Sequence, residues 1–195
     1  TGHEDPAMIL KFLVQSHTAP EIWRDLNSRI IKGDVFLNWQ TDVMMSVSLA
    51  GFMVVPDQDG RLIKAIGINP DSLRDPQYSD AYWQLVIYHE YQHLLQYEQD
   101  PSRSQNFGLK RVKANIGEDA IRTWFALELE AYEKECQFAV KMGWTRLLDL
   151  CQVYARGGDK RALANLYAKK VTADPTWGER DRRLILELGK AAQAQ

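Results

Sequence analysis

Long apolar runs are missing from this chain, and so is a strong excess of charge of either sign. No stretch is apolar for long enough to span a bilayer, which excludes a membrane-inserted helix as the organising element. With 24 Lys and Arg against 26 Asp and Glu, the formal net charge is −2, and no basic patch of the kind that tracks nucleic acid is present. Cysteine is scarce: Cys136 and Cys151 are the two in the chain, without C-x-x-C spacing. Neither is expected as a metal ligand, and two buried thiols are a simpler reading than a disulfide. Internal repeats and low-complexity segments are absent as well.

What remains is a chain of 195 residues, 45% hydrophobic, long enough to bury one substantial core or a core plus a smaller helical lobe. Only four histidines occur, and two of them fall in His89-Glu90-Tyr91-Gln92-His93. This H-E-x-x-H segment lies in a stretch that reads as helix. Ser79-Asp80 offers an N-cap, residues 81–99 contain no Gly or Pro, and Asp100-Pro101 is a natural stop. Trp83, Val86, Ile87, Leu94 and Leu95 recur at helical spacing, so this helix is expected to be buried along much of its length. Histidines at i and i+4 share one helical face, and both imidazoles can reach a single metal ion. Glu90, beside them, can take a proton from a metal-bound water. The plainer alternative is an amphipathic helix whose histidines are only polar surface.

A catalytic zinc needs a third protein ligand and an open position. The metzincin extension, a further histidine shortly after the motif, is absent, since Gln96 and Gln99 stand there. His3 and His17 lie far upstream. A downstream carboxylate is the better candidate. Residues 121–140 read as a second long helix, with Trp124, Phe125, Ala131, Tyr132, Cys136 and Ala139 on one side. Ala126, Glu130, Glu133, Lys134 and Gln137 fall on the other. Glu128 and Glu135 lie inside the apolar sector, where a carboxylate requires a strong partner such as a metal or an arginine. Glu130 ranks second, as a residue of the solvated face.

His89-Glu-Tyr-Gln-His93 followed by Glu128-Leu-Glu-Ala131-Tyr132 resembles the gluzincin arrangement of zincin metallopeptidases, whose second motif is commonly E-x-x-A-D or E-x-x-x-D. The resemblance covers roughly residues 50–140 and implies Zn2+ held by His89, His93 and Glu128, with Glu90 as general base in peptide-bond hydrolysis through a zinc-bound water. Tyr132 departs from it, because many gluzincins carry there an Asp that hydrogen-bonds a ligand histidine. Candidates for stabilising the oxyanion are Tyr132, Tyr154, Tyr167 and Arg122. The implied architecture is α+β and zincin-like: a small β-sheet or hairpin packed on the active-site helix, followed by a mainly helical C-terminal part. A single catalytic domain over 1–195 is expected, with an α/β part at about 1–100 and a helical part at about 115–195.

Within that frame, residues 51–56 and 61–68 flank Asp57-Gln-Asp-Gly60 as a β-hairpin. In zincins a sheet edge pairs with extended substrate, and the second hairpin strand is the candidate for that role. The hairpin is equally readable as mere cover for the core. Thr18-Ala-Pro-Glu21 resembles a capping box opening a helix through Ile31, with Ile22, Trp23, Leu26 and Ile30 on its inner side. Residues 35–39 read as a short strand, 44–49 as strand or helix, and 101–115 as a loop. Helices are expected at 145–155, 160–170 and from about 179. The chain starts at Thr1 rather than Met, as a mature or trimmed domain would. The short apolar segment 7–14, preceded by acidic residues, argues against a signal peptide and for a buried strand or helix start. The compartment stays open.

Two other classes compete with a peptidase acting on peptide or protein substrates. A zincin-like domain can serve binding or regulation without catalysis, although Glu90 has no use in a purely structural site. A metal-free helical interaction module requires Glu128 and Glu135 to be paired with arginines such as Arg111 or Arg122.

Overall fold

The computed structural model describes residues 20–39, 49–73, 75–104 and 117–194. Its elements run α1 (Pro20–Ile31), β1 (Val35–Trp39), β2 (Ala50–Pro56), β3 (Leu62–Ile68), the single turn α2 (Pro70–Leu73) and the long α3 (Asp80–Gln99). Then follow the turn α4 (Pro101–Ser104), the long α5 (Glu118–Met142), a 3-10 turn (Thr145–Leu147), α6 (Asp149–Gly157), α7 (Arg161–Thr172) and α8 (Glu179–Ala194). The protein is therefore α+β: the described residues form one three-stranded sheet and are otherwise mainly helical. It divides into two compact units, Thr1–Leu94 and Leu95–Gln195. No helix among the described residues is long and apolar enough to cross a membrane.

The expected hairpin is present, and its turn is built by one side chain. Asp57 Oδ1 accepts from the amides of Asp59 and Arg61, both at 2.8 Å, while Asp57 N donates to Arg61 O at 2.7 Å. Gly60 closes the turn at φ +77°, a value that L side chains rarely adopt. The strand order is β1-β3-β2, with β3 antiparallel to β2 (Phe52 opposite Ile66) and parallel to β1 (Leu37 opposite Ile66). This corrects the substrate-strand expectation. The second hairpin strand, β3, has a neighbour on each side, so its backbone groups are consumed by the ladders. The outer strand of the hairpin is β2. Burial agrees, since Ala65, Ile66 and Ile68 of β3 are wholly enclosed.

Helix α3 begins where the sequence places it. Ser79 Oγ accepts from Tyr82 N at 3.2 Å, satisfying one of the amides that a helix start leaves open. Trp83, Leu85, Ile87 and Leu94 are buried, whereas Val86 and Leu95 are only half-buried. A polar chain ties this helix to α1. Tyr91 Oη donates to Asp25 at 2.5 Å, Asp25 pairs with Arg29 at 2.8 Å, Arg29 reaches Asp34 at 3.3 Å, and Asp34 pairs with Lys64 of β3 at 2.8 Å. The Tyr91 hydroxyl is the main reason that the Asp25 carboxyl lies below its ordinary range, with Arg29 adding to it against partial desolvation. Lys64 does the same for Asp34. Within α1, Trp23 and Leu26 are buried as expected and Ile30 is half-buried.

In the second unit α5 buries Trp124, Phe125, Ala131, Cys136 and Ala139, the expected inner residues, together with Ile121, Leu127, Leu129 and Phe138. Tyr132 is half-buried, and Lys134 and Gln137 face solvent. The expectation of two thiols is overturned: Cys136 and Cys151 form a disulfide, with Cα atoms 4.8 Å apart, joining α5 to α6. Packing of α6 against α5 brings the two positions into bridging range, which spacing along the chain could not reveal. The helix expected from 145 starts instead as a 3-10 turn, and α-helix begins at Asp149. Helices α7 and α8 approach closely at Gly189, where a Cβ would meet Ala168 Cβ at 2.6 Å and Ala164 O at 3.0 Å. Residues 101–104, expected as loop, form a helical turn. The expectations for residues 7–14, Thr18, 44–48 and 105–115, and the residues His3, His17 and Arg111, lie outside the described residues.

Candidate metal centre

Because α3 is regular, His89 and His93 stand one turn apart on the same face. Their rings meet edge to face, with centroids 4.6 Å apart and an interplanar angle of 85°, and their Nε2 atoms are 3.0 Å from each other. Both are buried, His89 at 6% and His93 at 2% exposure. Two imidazole nitrogens that close cannot both carry a proton toward the other, so at least one of them faces its neighbour with a lone pair. Glu90 is buried beside them, and its Oε2 accepts the backbone N–H of Phe52 at 2.6 Å. That bond sets the Glu90 carboxylate against the outer edge of β2.

The two glutamates of α5 singled out in the sequence have different surroundings. Glu130 accepts from Arg103 at 2.9 and 3.4 Å and from Gln96 Nε2 at 3.2 Å. Gln96, on α3, also donates to Leu127 O at 3.0 Å, which fixes the C-terminal turn of α3 against α5. Glu128 instead accepts from Tyr167 Oη at 3.2 Å. The ligand atoms of His89, His93 and Glu128 lie within 4.8 Å of one another, two of the residues buried and the third half-buried. Glu130 is not in that group.

No family model, curated protein or solved structure matches the chain. Four-coordinate zinc with Zn–N bonds near 2.0–2.1 Å places two nitrogen ligands about 3.4 Å apart at the tetrahedral angle. The 3.0 Å between the imidazole nitrogens is close to that spacing, and small ring rotations make up the difference. Two neutral nitrogens and one carboxylate oxygen are also a donor set that suits zinc and leaves one position open.

The other sequence candidates take different places. Arg122 is engaged by Glu118 at 2.6 and 3.1 Å on the exposed first turn of α5, so the arginine pairing of Glu128 and Glu135 that a metal-free module needs does not come from it. Glu135 is buried at 2% exposure. Tyr154 is buried in α6, and the Tyr132 ring lies 5.0 Å from that of Tyr167. Three contributors were not visible in the sequence: the Phe52 amide, the side-chain amide of Gln96, and Tyr167 as the partner of Glu128. Phe52 is 38 residues before Glu90 and Tyr167 is 39 after Glu128, distances over which no local pattern carries a signal.

Proposed function

We propose that this protein is a zinc metallopeptidase of the zincin class and gluzincin type, with His89, His93 and Glu128 as the metal ligands and Glu90 as the general base. The observation that carries the reading is the convergence of those three ligand groups within 4.8 Å. Glu90, adjacent in sequence to His89 and buried, supplies the proton acceptor that a purely structural site would not need. When bound, zinc supplies Lewis acidity toward a carbonyl oxygen and lowers the pKa of a water in its open position.

The chain's own groups have distinct tasks. Glu90 accepts the proton of the attacking water and later delivers it to the leaving amine. The substrate class is peptide or protein, whose amide carbonyl is the electrophile that a zinc-bound water would attack. Burial of the two histidines and Glu90 keeps bulk water from competing for the proton. One observation favours the non-catalytic, zincin-like binding domain as a second reading: the Phe52 amide gives the Glu90 carboxylate a structural use without any reaction.

Both readings are separated by metal content and hydrolysis measured together. Wild type, Glu128→Ala, Glu130→Ala and Glu90→Gln are prepared without chelators, analysed for zinc and assayed on a peptide library. The peptidase reading expects stoichiometric zinc in all but Glu128→Ala, and hydrolysis lost in Glu90→Gln with its zinc retained. Gln keeps an oxygen for the Phe52 amide, so the fold is undisturbed. Zinc without hydrolysis in any form supports the binding domain. No zinc in wild type, even after it is added back, refutes the peptidase.

A further inference from the structure

We propose that Tyr167 is the positioning residue that orients Glu128 for metal binding, a role resting on the metal-site reading above. A glutamate ligand has several freely turning bonds, and a site that relies on one loses affinity unless the carboxylate is held. Tyr167 supplies the restraint. Its hydroxyl donates to Glu128 Oε2 at 3.2 Å, and its ring is 6% exposed, enclosed by aromatic neighbours carried on the ligand helix itself. Phe125 stacks on it at 5.6 Å and 30°, Tyr132 lies at 5.0 Å, and Trp124 at 6.3 Å. A buried phenol requires a hydrogen-bond partner, and this one spends its donor on the carboxylate that the geometry groups with the histidines.

Helix α7 carries the ring. Next to Tyr167, Ala168 is wholly buried, and a Cβ placed at Gly189 of α8 would meet its Cβ at 2.6 Å. The hydroxyl thus approaches Glu128 from a different helix than the one bearing the ligand, and the rings of Phe125 and Tyr132, one turn to either side of Glu128, keep it there. An O–H donor leaves the carboxylate ionised and able to bind a cation, whereas a lysine or arginine in that place would compete with the metal for it.

Tyr167→Phe tests this, because it keeps every ring contact and deletes the hydroxyl alone. Zinc affinity is measured by competition with a chromophoric chelator, the visible spectrum of the cobalt-substituted protein reports ligand geometry, and thermal unfolding of the metal-free protein reports the fold. The expected result is about 10–100-fold weaker zinc binding, an altered cobalt spectrum and an unchanged metal-free midpoint. Wild-type affinity and spectrum in Tyr167→Phe, with binding abolished in Glu128→Ala, overturn the positioning role and leave the metal site standing. A lowered metal-free midpoint with affinity and spectrum intact assigns the hydroxyl to packing and also overturns it. A wild type that takes up no zinc removes the site and this role together.

Discussion

Reducing the Cys136–Cys151 bond should lower the thermal midpoint by an amount that follows from the loop it closes. The two half-cystines are separated by 15 residues. Cross-linking a loop of that length removes denatured-state entropy equivalent to about 3 kcal/mol at 25 °C. For a chain of this size, one kcal/mol moves the midpoint by roughly 2–4 °C, so the expected fall is about 6–12 °C. Both sulfur-bearing residues are fully buried, so reduction is done in denaturant and the protein is refolded with or without reductant before the two melts are compared by circular dichroism. Thiol titration accompanies each melt. The oxidised form should show no reactive thiol after unfolding, and the reduced form both. Two titratable thiols in the unreduced protein would refute the bridge. A midpoint shift under about 1 °C, with both thiols released, would refute the loop-entropy argument.

Gly189→Ala should destabilise the protein by about 1–2 kcal/mol in urea unfolding, the overlap with Ala168 and Ala164 exceeding the helix-propensity gain of losing a glycine. Ala168→Gly in the same molecule should recover part of the loss, and equal or greater stability in Gly189→Ala alone would show that the two helices can part at no cost. Asp25→Asn should flatten the acid limb of the stability profile. Because the folded carboxyl lies below its ordinary 3.8, its contribution is complete above that value and is lost as pH falls through the folded one. Stability of wild type and variant measured between about pH 5 and 2 should therefore converge at the acid end, and parallel curves would contradict the assignment. Tyr91→Phe, which removes the largest cause of the shift, should move the profile in the same direction.

The two long helices were legible because each advertises itself locally. Ser79 caps α3 from the position where a cap is expected, and the inner residues of α5 recur at helical spacing. The hairpin was legible for a similar reason, since an Asp that folds its turn and a glycine that ends it lie within a few residues. Pairing across the chain was not. Which hairpin strand lies inside the sheet depends on β1 docking beside β3, and β1 reads the same whether it pairs or not. Glu128 ranked above Glu130 on helical phase, and the partners in which the two differ, Tyr167 beside Glu128 and Arg103 beside Glu130, come from distant segments. Cysteine pairing failed likewise, because burial predicts an inert thiol equally well when the partner thiol is unseen.

Helix α5 carries the Glu128 carboxylate and, about two turns further on, the half-cystine that fastens α6 to it, while the chain that continues from α6 delivers Tyr167 back to Glu128. The bridge and the Tyr167 contact therefore fasten the same helix to the segment that follows it. A host that keeps thiols reduced would yield polypeptide whose Tyr167-bearing segment lacks that covalent tie and is held by packing, the Tyr167–Glu128 hydrogen bond and the Lys170–Asp149 ion pair. Batches made in reducing and oxidising cells are then different reagents, to be matched by thiol content before their metal loading or activity is compared.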